Sequence, residues 1–163
     1  MKRFNISLLI LFCFVSSHFA SAQESKFKAL FLYKFAEYIE WPSNPGKIVV
    51  GVAGSTDVAD HLSTFAASRG TIEVVPLQGP SGYNKCNIVY VPSALDGQID
   101  QYKSNIANTS VLLVSENMTM VSKGADIGFY LEAGKLRFVI NKKSIESKSM
   151  IPSSKLLALG KPI

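Results

Sequence analysis

The feature that most constrains this sequence is a regular alternation of short apolar runs with segments of helical character. The runs are rich in β-branched residues, as in KIVVGVA at 47–53, TIEVVPL at 71–77, CNIVYV at 86–91 and SVLLV at 110–114. Runs of this kind between Gly, Pro and Asn turn signals are typical of strands buried on both faces of a parallel sheet. The alternation predicts an α/β fold of three layers, with a mostly parallel central sheet of about six strands and helices on both faces.

The last third of the chain departs from this alternation. Two further apolar runs, Ile127 to Leu131 and Leu136 to Ile140, are separated only by Glu132-Ala133-Gly134-Lys135. A connection this short joins antiparallel strands, and Gly134 suits a position with positive φ. We therefore expect a β-hairpin near the C-terminus, followed by a helix capped by Asn141 and a last helical turn from Ser153 to Leu159.

The stretch KALFLYKFAEYIEWP at residues 28–42 predicts an amphipathic helix. Its apolar residues recur with the i, i+3, i+4 spacing of a helix packed on a core, and Pro42 disfavours helical geometry at Trp41. Lys28 and Lys34 lie at the borders of the apolar side, where a long stem can pack while its charge stays in water. The residues predicted to face the core are Phe27, Leu30, Phe31, Phe35, Tyr38 and Ile39.

The first 22 residues have the layout of a secretory signal peptide. A basic start, Met1-Lys2-Arg3, precedes an apolar run from Ile6 to Val15 and an A-x-A cleavage pattern at Ala20-Ser21-Ala22. The apolar run is too short to span a bilayer, which argues against a retained anchor. We expect residues 1–22 to be removed and residues 23–163 to form a single domain in the periplasm, without membrane insertion.

Charge and cysteine content limit the remaining function classes. The formal net charge is +5, of which two units come from Lys2 and Arg3, so nucleic acid is not an expected partner. Cys86 is the only cysteine after residue 22, and it cannot form an internal disulfide. Either Cys86 is a small buried residue at the start of a strand, or it serves as a redox sensor or intermolecular bridge.

No catalytic set is evident in the expected mature chain. His61 is its only histidine, and the adjacent Asp60 points to a different side of the predicted helix, so the two cannot form a catalytic pair. No cluster has metal-ligand spacing, and no complete phosphate-binding motif follows a strand. These observations favour a binding or regulatory domain over an enzyme, with no cofactor and no metal.

Two sets of residues are candidates for binding. In parallel α/β sheets a ligand crevice lies beyond the carboxyl ends of the strands, where strand-to-helix loops meet. The ligand-binding candidates are Gly54, Ser55, Thr56, Asp57, Ser115, Glu116, Asn117 and Asn141. A partner protein would need an exposed apolar patch, for which the candidates are Trp41, Leu156 and Leu157.

Several segments together resemble the YfiR-like family of exported bacterial regulatory proteins. In order, they are KALFLYKFAEYIEWP, IVVGVAG, CNIVYVP, VLLVSENMTMVSKGADIGFYLEAGKLRFVIN and SSKLLAL. The resemblance implies a compact α/β domain similar to a periplasmic repressor that binds the sensory region of an inner-membrane diguanylate cyclase. Other relatives are expected to serve other membrane sensors, including histidine kinases. Disulfides take part in the redox behaviour of that repressor, and the single Cys86 departs from this pattern.

Two functions follow as hypotheses. The first is a periplasmic regulator that binds and represses a membrane-bound sensor, either a diguanylate cyclase that controls cyclic-di-GMP and biofilm formation or a histidine kinase. The second is a periplasmic small-ligand binding module that feeds a sensor or transporter. The two are compatible if a ligand alters the affinity for the partner. The identity of any ligand and a homodimeric state are left open.

Overall fold

The computed structural model of the chain describes residues 6–54 and 56–163, with side chains described from residue 22 onward. The predicted leader therefore lies partly outside the described residues, and Ser55 lies wholly outside them. The helices are α1 (Ile6–Tyr38), α2 (Asp57–Arg69), α3 (Ile99–Asn105), α4 (Lys142–Ser147) and α5 (Ser154–Leu159). The strands are β1 (Ile39–Glu40), β2 (Ile48–Ala53), β3 (Ile72–Leu77), β4 (Ile88–Val91), β5 (Leu112–Ser115), β6 (Ile127–Glu132), β7 (Lys135–Ile140), β8 (Ile151–Pro152) and β9 (Lys161–Pro162). Short 3₁₀ helices span Tyr83–Lys85, Ser93–Gln98 and Met118–Lys123.

The central sheet has seven strands in the order β3-β2-β4-β5-β6-β7-β9, and β1 pairs with β8 in a separate two-stranded ribbon. Strands β2 to β6 are mutually parallel, β7 is antiparallel to β6, and β9 is parallel to β7. The predicted α/β fold with a mostly parallel sheet and a C-terminal hairpin is therefore confirmed. The sheet has one strand more than expected, because the two-residue β9 is too short to leave a sequence pattern.

The order in which successive strands are added across the sheet changes direction between β2 and β4. The chain leaves β2 to form β3 on one side, and it then returns to form β4, β5 and β6 on the other side. At such a switch point the loops from adjacent strands run in opposite directions and leave a crevice at the carboxyl edge. The loops after β2, β4 and β5 lie at this edge.

The hairpin of β6 and β7 extends beyond the other strands at the same edge. Val114 and Ser115 of β5 pair with Ile127 and Gly128, so the rest of β6 projects past the end of β5. Its two-residue turn has positive φ at both Ala133 (49°) and Gly134 (73°), as the twist of a tight hairpin requires. The positive φ expected at Gly134 is confirmed, and Ala133 takes the same region.

Two hydrophobic layers cover the two faces of the sheet. On one face, alternate residues such as Ile88 and Tyr90 of β4 pack with α1, α2 and Leu156 of α5. On the other face, Val89 and Val91 pack with α3 and the 3₁₀ helix Met118–Lys123. The alternation along each strand follows from the strand period of two, and it gives the three predicted layers.

The buried side of α1 is rotated relative to the prediction. Phe35 and Ile39 are buried as expected, but Phe27 and Leu30 are 45% and 39% exposed. Buried residues that the prediction missed are Lys28, Ala29, Leu32, Tyr33 and Ala36. The reason is that α1 packs on α2 as well as on the sheet, where Arg69 Nη1 lies 3.4 Å from the Tyr33 hydroxyl and 3.3 Å from Glu37 Oε1.

Helix α1 ends earlier than expected. It stops at Tyr38, and Ile39 and Glu40 then pair with Pro152 and Ile151 of β8. The Ser153 amide donates to the Tyr38 carbonyl at 2.8 Å, so the last turn of the helix is closed by a distant segment. In the part of the chain that the structure describes, no helix has the length and hydrophobicity that a membrane span requires.

Candidate functional site

The carboxyl edge of the sheet carries a buried ion pair between α1 and the loop after β5. Lys28 Nζ donates to Glu116 Oε1 at 2.5 Å and also lies 2.5 Å from Glu24 Oε1 on the preceding turn of α1. The Lys28 side chain is 8% exposed and that of Glu116 is 20% exposed. A buried charge needs a partner of opposite sign, and here a lysine with two carboxylates satisfies this requirement.

Both carboxylate oxygens of Glu116 accept hydrogen bonds. The Tyr90 hydroxyl donates to Oε1 at 3.0 Å, while the Ser93 amide and hydroxyl donate to Oε2 at 2.8 Å and 2.6 Å. These donors come from the end of β4 and the 3₁₀ helix that follows it. Glu116 therefore joins α1, β4 and β5 at a single point.

The hydrogen bonds set the protonation states of this cluster. Burial alone would raise the pKa of Glu116, but the hydrogen bonds from Lys28 and Ser93 outweigh it and lower the pKa to about 2. Burial likewise opposes the charge of Lys28, yet the two carboxylates raise its pKa above the usual value. Burial and the negative Glu116 raise the pKa of the Tyr90 phenol. At neutral pH the cluster consists of a carboxylate, an ammonium and a neutral phenol.

A cavity of about 310 Å³ opens beside this cluster. Lys28, Ser93 and Glu116 form its polar end, and its apolar lining includes Leu131 and Leu136 of the hairpin. The charged and hydrogen-bonding groups at one end and the apolar wall at the other could accommodate a small amphipathic ligand.

An apolar groove continues from this cavity between α1 and the hairpin. The groove has a volume of about 550 Å³ and shares Glu24, Leu131 and Leu136 with the cavity. Phe27 and Phe31 of α1 form one wall, and Leu131 is 59% exposed on the other. Its remaining lining residues are Gln23, Gly134, Lys135 and Arg137. Exposed apolar surface of this kind is common where a protein binds a partner.

Four phenylalanines fix the base of the groove. Phe31 and Phe35 of α1 meet Phe129 and Phe138 of the hairpin with ring centroids 5.0 to 6.5 Å apart. Phe35, Phe129 and Phe138 are at most 1% exposed, whereas Phe31 is half-buried. The cluster anchors the hairpin to α1, so that both walls of the groove are rigidly positioned.

Ser115 and Asn117, two of the predicted ligand residues, flank Glu116 but face the other side of the sheet. The Ser115 hydroxyl lies 3.4 Å from Asp96 Oδ1, and Asn117 Nδ2 donates to Asp96 Oδ2 at 2.9 Å. Asn117 Oδ1 also accepts from the Thr119 amide at 3.0 Å and caps the following 3₁₀ helix. These contacts connect the loops after β4 and β5 to each other.

The predicted residues after β2 lie at the same edge. Gly54 has φ 71° and is exposed, and Thr56 caps α2 by accepting a hydrogen bond from the Ala59 amide at 3.4 Å. Asp57 is the exposed first residue of α2. A Cβ on Gly54 would lie 3.7 Å from Leu95 Cδ1, so the loops after β2 and β4 adjoin at the switch point.

Asn141 lies at the opposite edge from the other ligand candidates. It follows β7, and because β7 is antiparallel to β6, its end returns to the amino edge of the parallel strands. The backbone N–H of Asn141 donates to the backbone carbonyl of Asp126 at 2.8 Å. The side-chain Oδ1 of Asn141 accepts from the backbone N–H of Ser144 at 3.0 Å. Asn141 is therefore the cap of α4, remote from the crevice.

The three candidates for partner contact occupy different environments. Leu156 has no exposed surface and belongs to the core, so its side chain is unavailable to a partner. Leu157 is half-buried against the same core. Trp41 is also half-buried, and its indole N–H donates to the Ala36 carbonyl at 3.3 Å.

Cys86 is buried two residues before β4, and its Sγ would lie 2.7 Å from a Cβ on Gly51. Burial raises the pKa of its thiol, which disfavours the reactive thiolate. Among the side chains that the structure describes, no three His, Cys, Asp or Glu residues form a group that could hold a metal ion.

Sequence reasoning missed Lys28, Tyr90 and Ser93 as members of the site. Lys28 was expected to keep its charge in water, and Tyr90 lies inside an apolar run. Only the position of Ser93 directly after a strand was a usable signal, because strand ends converge at the crevice. Phe27 was missed as a groove residue because it was expected in the core. Leu131 was missed because it was considered only as part of a strand.

Comparison with protein families matches residues 25–161 to the family described as YfiR/HmsC-like. The chain belongs to the YfiR/HmsC-like family. The resemblance inferred from the sequence is thus confirmed over nearly the whole described domain. YfiR/HmsC-like proteins are periplasmic regulators that act through a partner sensor, and membership supports a general role in the regulation of cyclic-di-GMP signalling.

Solved structures of similar fold include two bacterial domains. One is an ABC domain in complex with L-Trp from Streptococcus pneumonia, with a TM-score of 0.57 and 14% identity over 74% of this chain and 56% of that one. The other is a conserved domain protein from Vibrio cholerae O1 biovar eltor, with a TM-score of 0.59 and 13% identity over 82% of this chain and 59% of that one. The YfiR/HmsC-like chain thus spans little more than half the length of either structure, and the likeness concerns the fold. A comparison with curated protein sequences found no significant match.

Proposed function

We propose that this protein is exported to the periplasm, where residues 1–22 are removed. There it represses an inner-membrane diguanylate cyclase by binding its periplasmic domain. The observation that carries the proposal is the apolar groove between α1 and the hairpin. Phe27 is 45% exposed and Leu131 is 59% exposed there, which is an unfavourable arrangement for large apolar side chains unless a partner covers them.

The charges around the groove indicate the chemistry of the partner. Lys135 and Arg137 are exposed on the hairpin, while Glu24 is already engaged with Lys28. Arg137 lies 3.8 Å from the exposed Glu132, a contact of little strength. A complementary sensor segment would insert an apolar side chain between Phe27 and Leu131, with acidic residues facing Lys135 and Arg137.

A matched pair of variants tests the proposal in cells. Leu131 and Ile163 are both 59% exposed, but Leu131 lines the groove and Ile163 follows β9, beside Ile140 at the other end of the hairpin. Deletion of the gene should raise cyclic-di-GMP. Wild type and Ile163→Asp should restore the low level, whereas Leu131→Asp should leave it high although the protein accumulates normally.

The same experiment can reject the proposal. An unchanged cyclic-di-GMP level after deletion would exclude the cyclase, and a changed output of a histidine kinase in that strain would identify the other sensor class. Full repression by Leu131→Asp would exclude the groove as the contact. Loss of repression by Trp41→Ala alone, with Leu131→Asp active, would place the contact at the end of α1 instead.

A second candidate function is supported by the polar cavity beside Glu116. Ser93, Lys28 and Glu116 could bind the polar groups of a small ligand while Leu131 and Leu136 contact its apolar part. A thermal-shift screen of periplasmic metabolites tests this, because a ligand at a hundred times its Kd stabilises a protein by about 2.7 kcal/mol. L-Trp, bound by the structurally similar ABC domain, belongs in that screen. Failure of all compounds to raise Tm would argue against the binding-module hypothesis.

A further inference from the structure

We propose that Gln23 is a modification site, which becomes the amino terminus of the exported chain and cyclises to pyroglutamate. The inference rests on the leader cleavage contained in the proposed function. Cleavage after the Ala20-Ser21-Ala22 pattern leaves Gln23 as the first residue. A glutamine at this position carries both reacting groups of the cyclisation within one residue.

The reaction needs no oxidant, reductant or cofactor. The free α-amine of Gln23 attacks the side-chain Cδ, and a new N–Cδ amide bond closes a five-membered lactam. The bond between Cδ and Nε2 breaks, and its nitrogen takes up a proton and leaves as ammonia. The attacking species is the unprotonated form of the α-amine. Because both groups belong to one residue, the reaction has the high effective concentration of an intramolecular step.

The structure leaves Gln23 free to react. Its side chain is exposed, and from Gln23 onward the first buried residues of α1 are Lys28 and Ala29. A local change of backbone geometry at Gln23 therefore disturbs no core residue. The neighbouring Glu24 is held by Lys28 at 2.5 Å, which fixes the helix immediately after the reacting residue.

The product also suits its surroundings better than the free amine does. An ammonium at the first turn of a helix is repelled by the positive end of the helix dipole, and the neutral lactam removes this repulsion. Gln23 lines the same groove as Phe27, Leu131 and Leu136. Cyclisation therefore replaces a charged group at the mouth of the apolar groove by an uncharged ring.

The test uses the full chain with its own leader, purified from the periplasm. Intact mass and tandem mass spectrometry of the amino-terminal peptide are recorded at once and after prolonged storage at neutral pH. We expect a chain that starts at residue 23 and lacks the mass of one ammonia, and whose first residue is released by pyroglutamyl aminopeptidase. The control variant Gln23→Ala has no carboxamide, so it should keep its full calculated mass and resist that enzyme.

The possible results separate this inference from the proposed function. A chain that starts at Gln23 and retains its ammonia after storage overturns the cyclisation but leaves export and repression intact. A purified chain that still contains residues 1–22, or starts elsewhere, overturns the cleavage and the modification together. Loss of ammonia in Gln23→Ala would assign the mass change to another residue and would also reject the inference.

Discussion

The Lys28 ammonium lies 2.5 Å from Glu116 Oε1, although the two residues are 88 positions apart in the sequence. This contact fastens the first helix of the domain to the loop after the central strand β5. Glu116 is in turn bound by Ser93 after β4, so one carboxylate positions three elements around the cavity.

Replacement of Lys28 by Met should strongly destabilise the domain. Removal of one partner of a buried ion pair costs about 3–5 kcal/mol, and the partial exposure of Glu116 reduces this to about 2–3 kcal/mol. Lys34→Met is the matched control, because Lys34 pairs with Glu37 at 2.7 Å on the same helix but with both side chains about 30% exposed. That change should cost less than about 1 kcal/mol. Equal shifts of the urea midpoint in the two variants would contradict the role of Lys28.

Acid should weaken the fold through Glu116. Its pKa falls from the usual 4.5 to about 2 in the folded protein, so its contribution is complete above about pH 4.5 and is lost as the pH falls towards 2. This lowering of the pKa corresponds to a contribution of about 3 kcal/mol to the free energy of unfolding. Urea unfolding of wild type and Glu116→Gln from about pH 6 to about pH 3 measures the part of this contribution that is lost over that range. The variant should be less stable at the higher pH and lose less stability on acidification, and parallel pH curves for the two proteins would refute the assignment.

Substitutions of the phenylalanines at and beside this cluster should affect the stability of the domain and its repression of the partner to different degrees. Phe35→Ala removes a ring with no exposed surface and should cost about 3–5 kcal/mol. Phe31→Ala should cost less, since Phe31 is half-buried, but should still lower Tm clearly. Phe27→Ala changes a residue that is 45% exposed and should cost at most about 1 kcal/mol while reducing repression. Thermal unfolding checks all three, and an unchanged Tm for Phe35→Ala would show that the cluster is not part of the core.

Gly128 should tolerate no side chain. An added Cβ would lie 2.6 Å from Met118 Cα and 2.9 Å from Val121 Cγ2, so the backbone of the 3₁₀ helix would have to shift. Gly128→Ala should therefore cost about 1–3 kcal/mol. Gly46→Ala is the control, because nothing lies within 4 Å of its added Cβ. A free energy of unfolding for Gly128→Ala equal to that of the control would show that β6 and the 3₁₀ helix can separate at little cost.

The fold was predictable where local patterns decide it. Runs such as IVVGVA and IVYV are typical of buried strands, and the four residues after Leu131 have the length and the glycine of a hairpin turn. The caps at Asn117, Asn141 and Ser153 also follow from local chemistry. The helical wheel of α1 failed because it assumes one packing surface, whereas α1 contacts both the sheet and α2.

The site was predictable only in outline. Parallel strands bring the residues after β2, β4 and β5 to one edge, and Gly54, Ser115 and Glu116 lie there. The partnership of Glu116 with Lys28 depends on how α1 lies across the sheet, which no local pattern encodes. Asn141 was wrongly expected at this edge. Because β7 is antiparallel to β6, β7 ends at the opposite edge of the sheet.

The rings of Phe35 and Phe138 lie 5.0 Å apart, yet Phe138 is near the end of the chain. Contacts between such distant segments form slowly, because a long loop must close before they are gained. The aromatic helix is also the first part of the domain to be synthesised, and at about 5–20 residues per second it waits many seconds for its partners. A nascent chain of this protein should thus depend on holdase chaperones that shield α1 until the hairpin has been made.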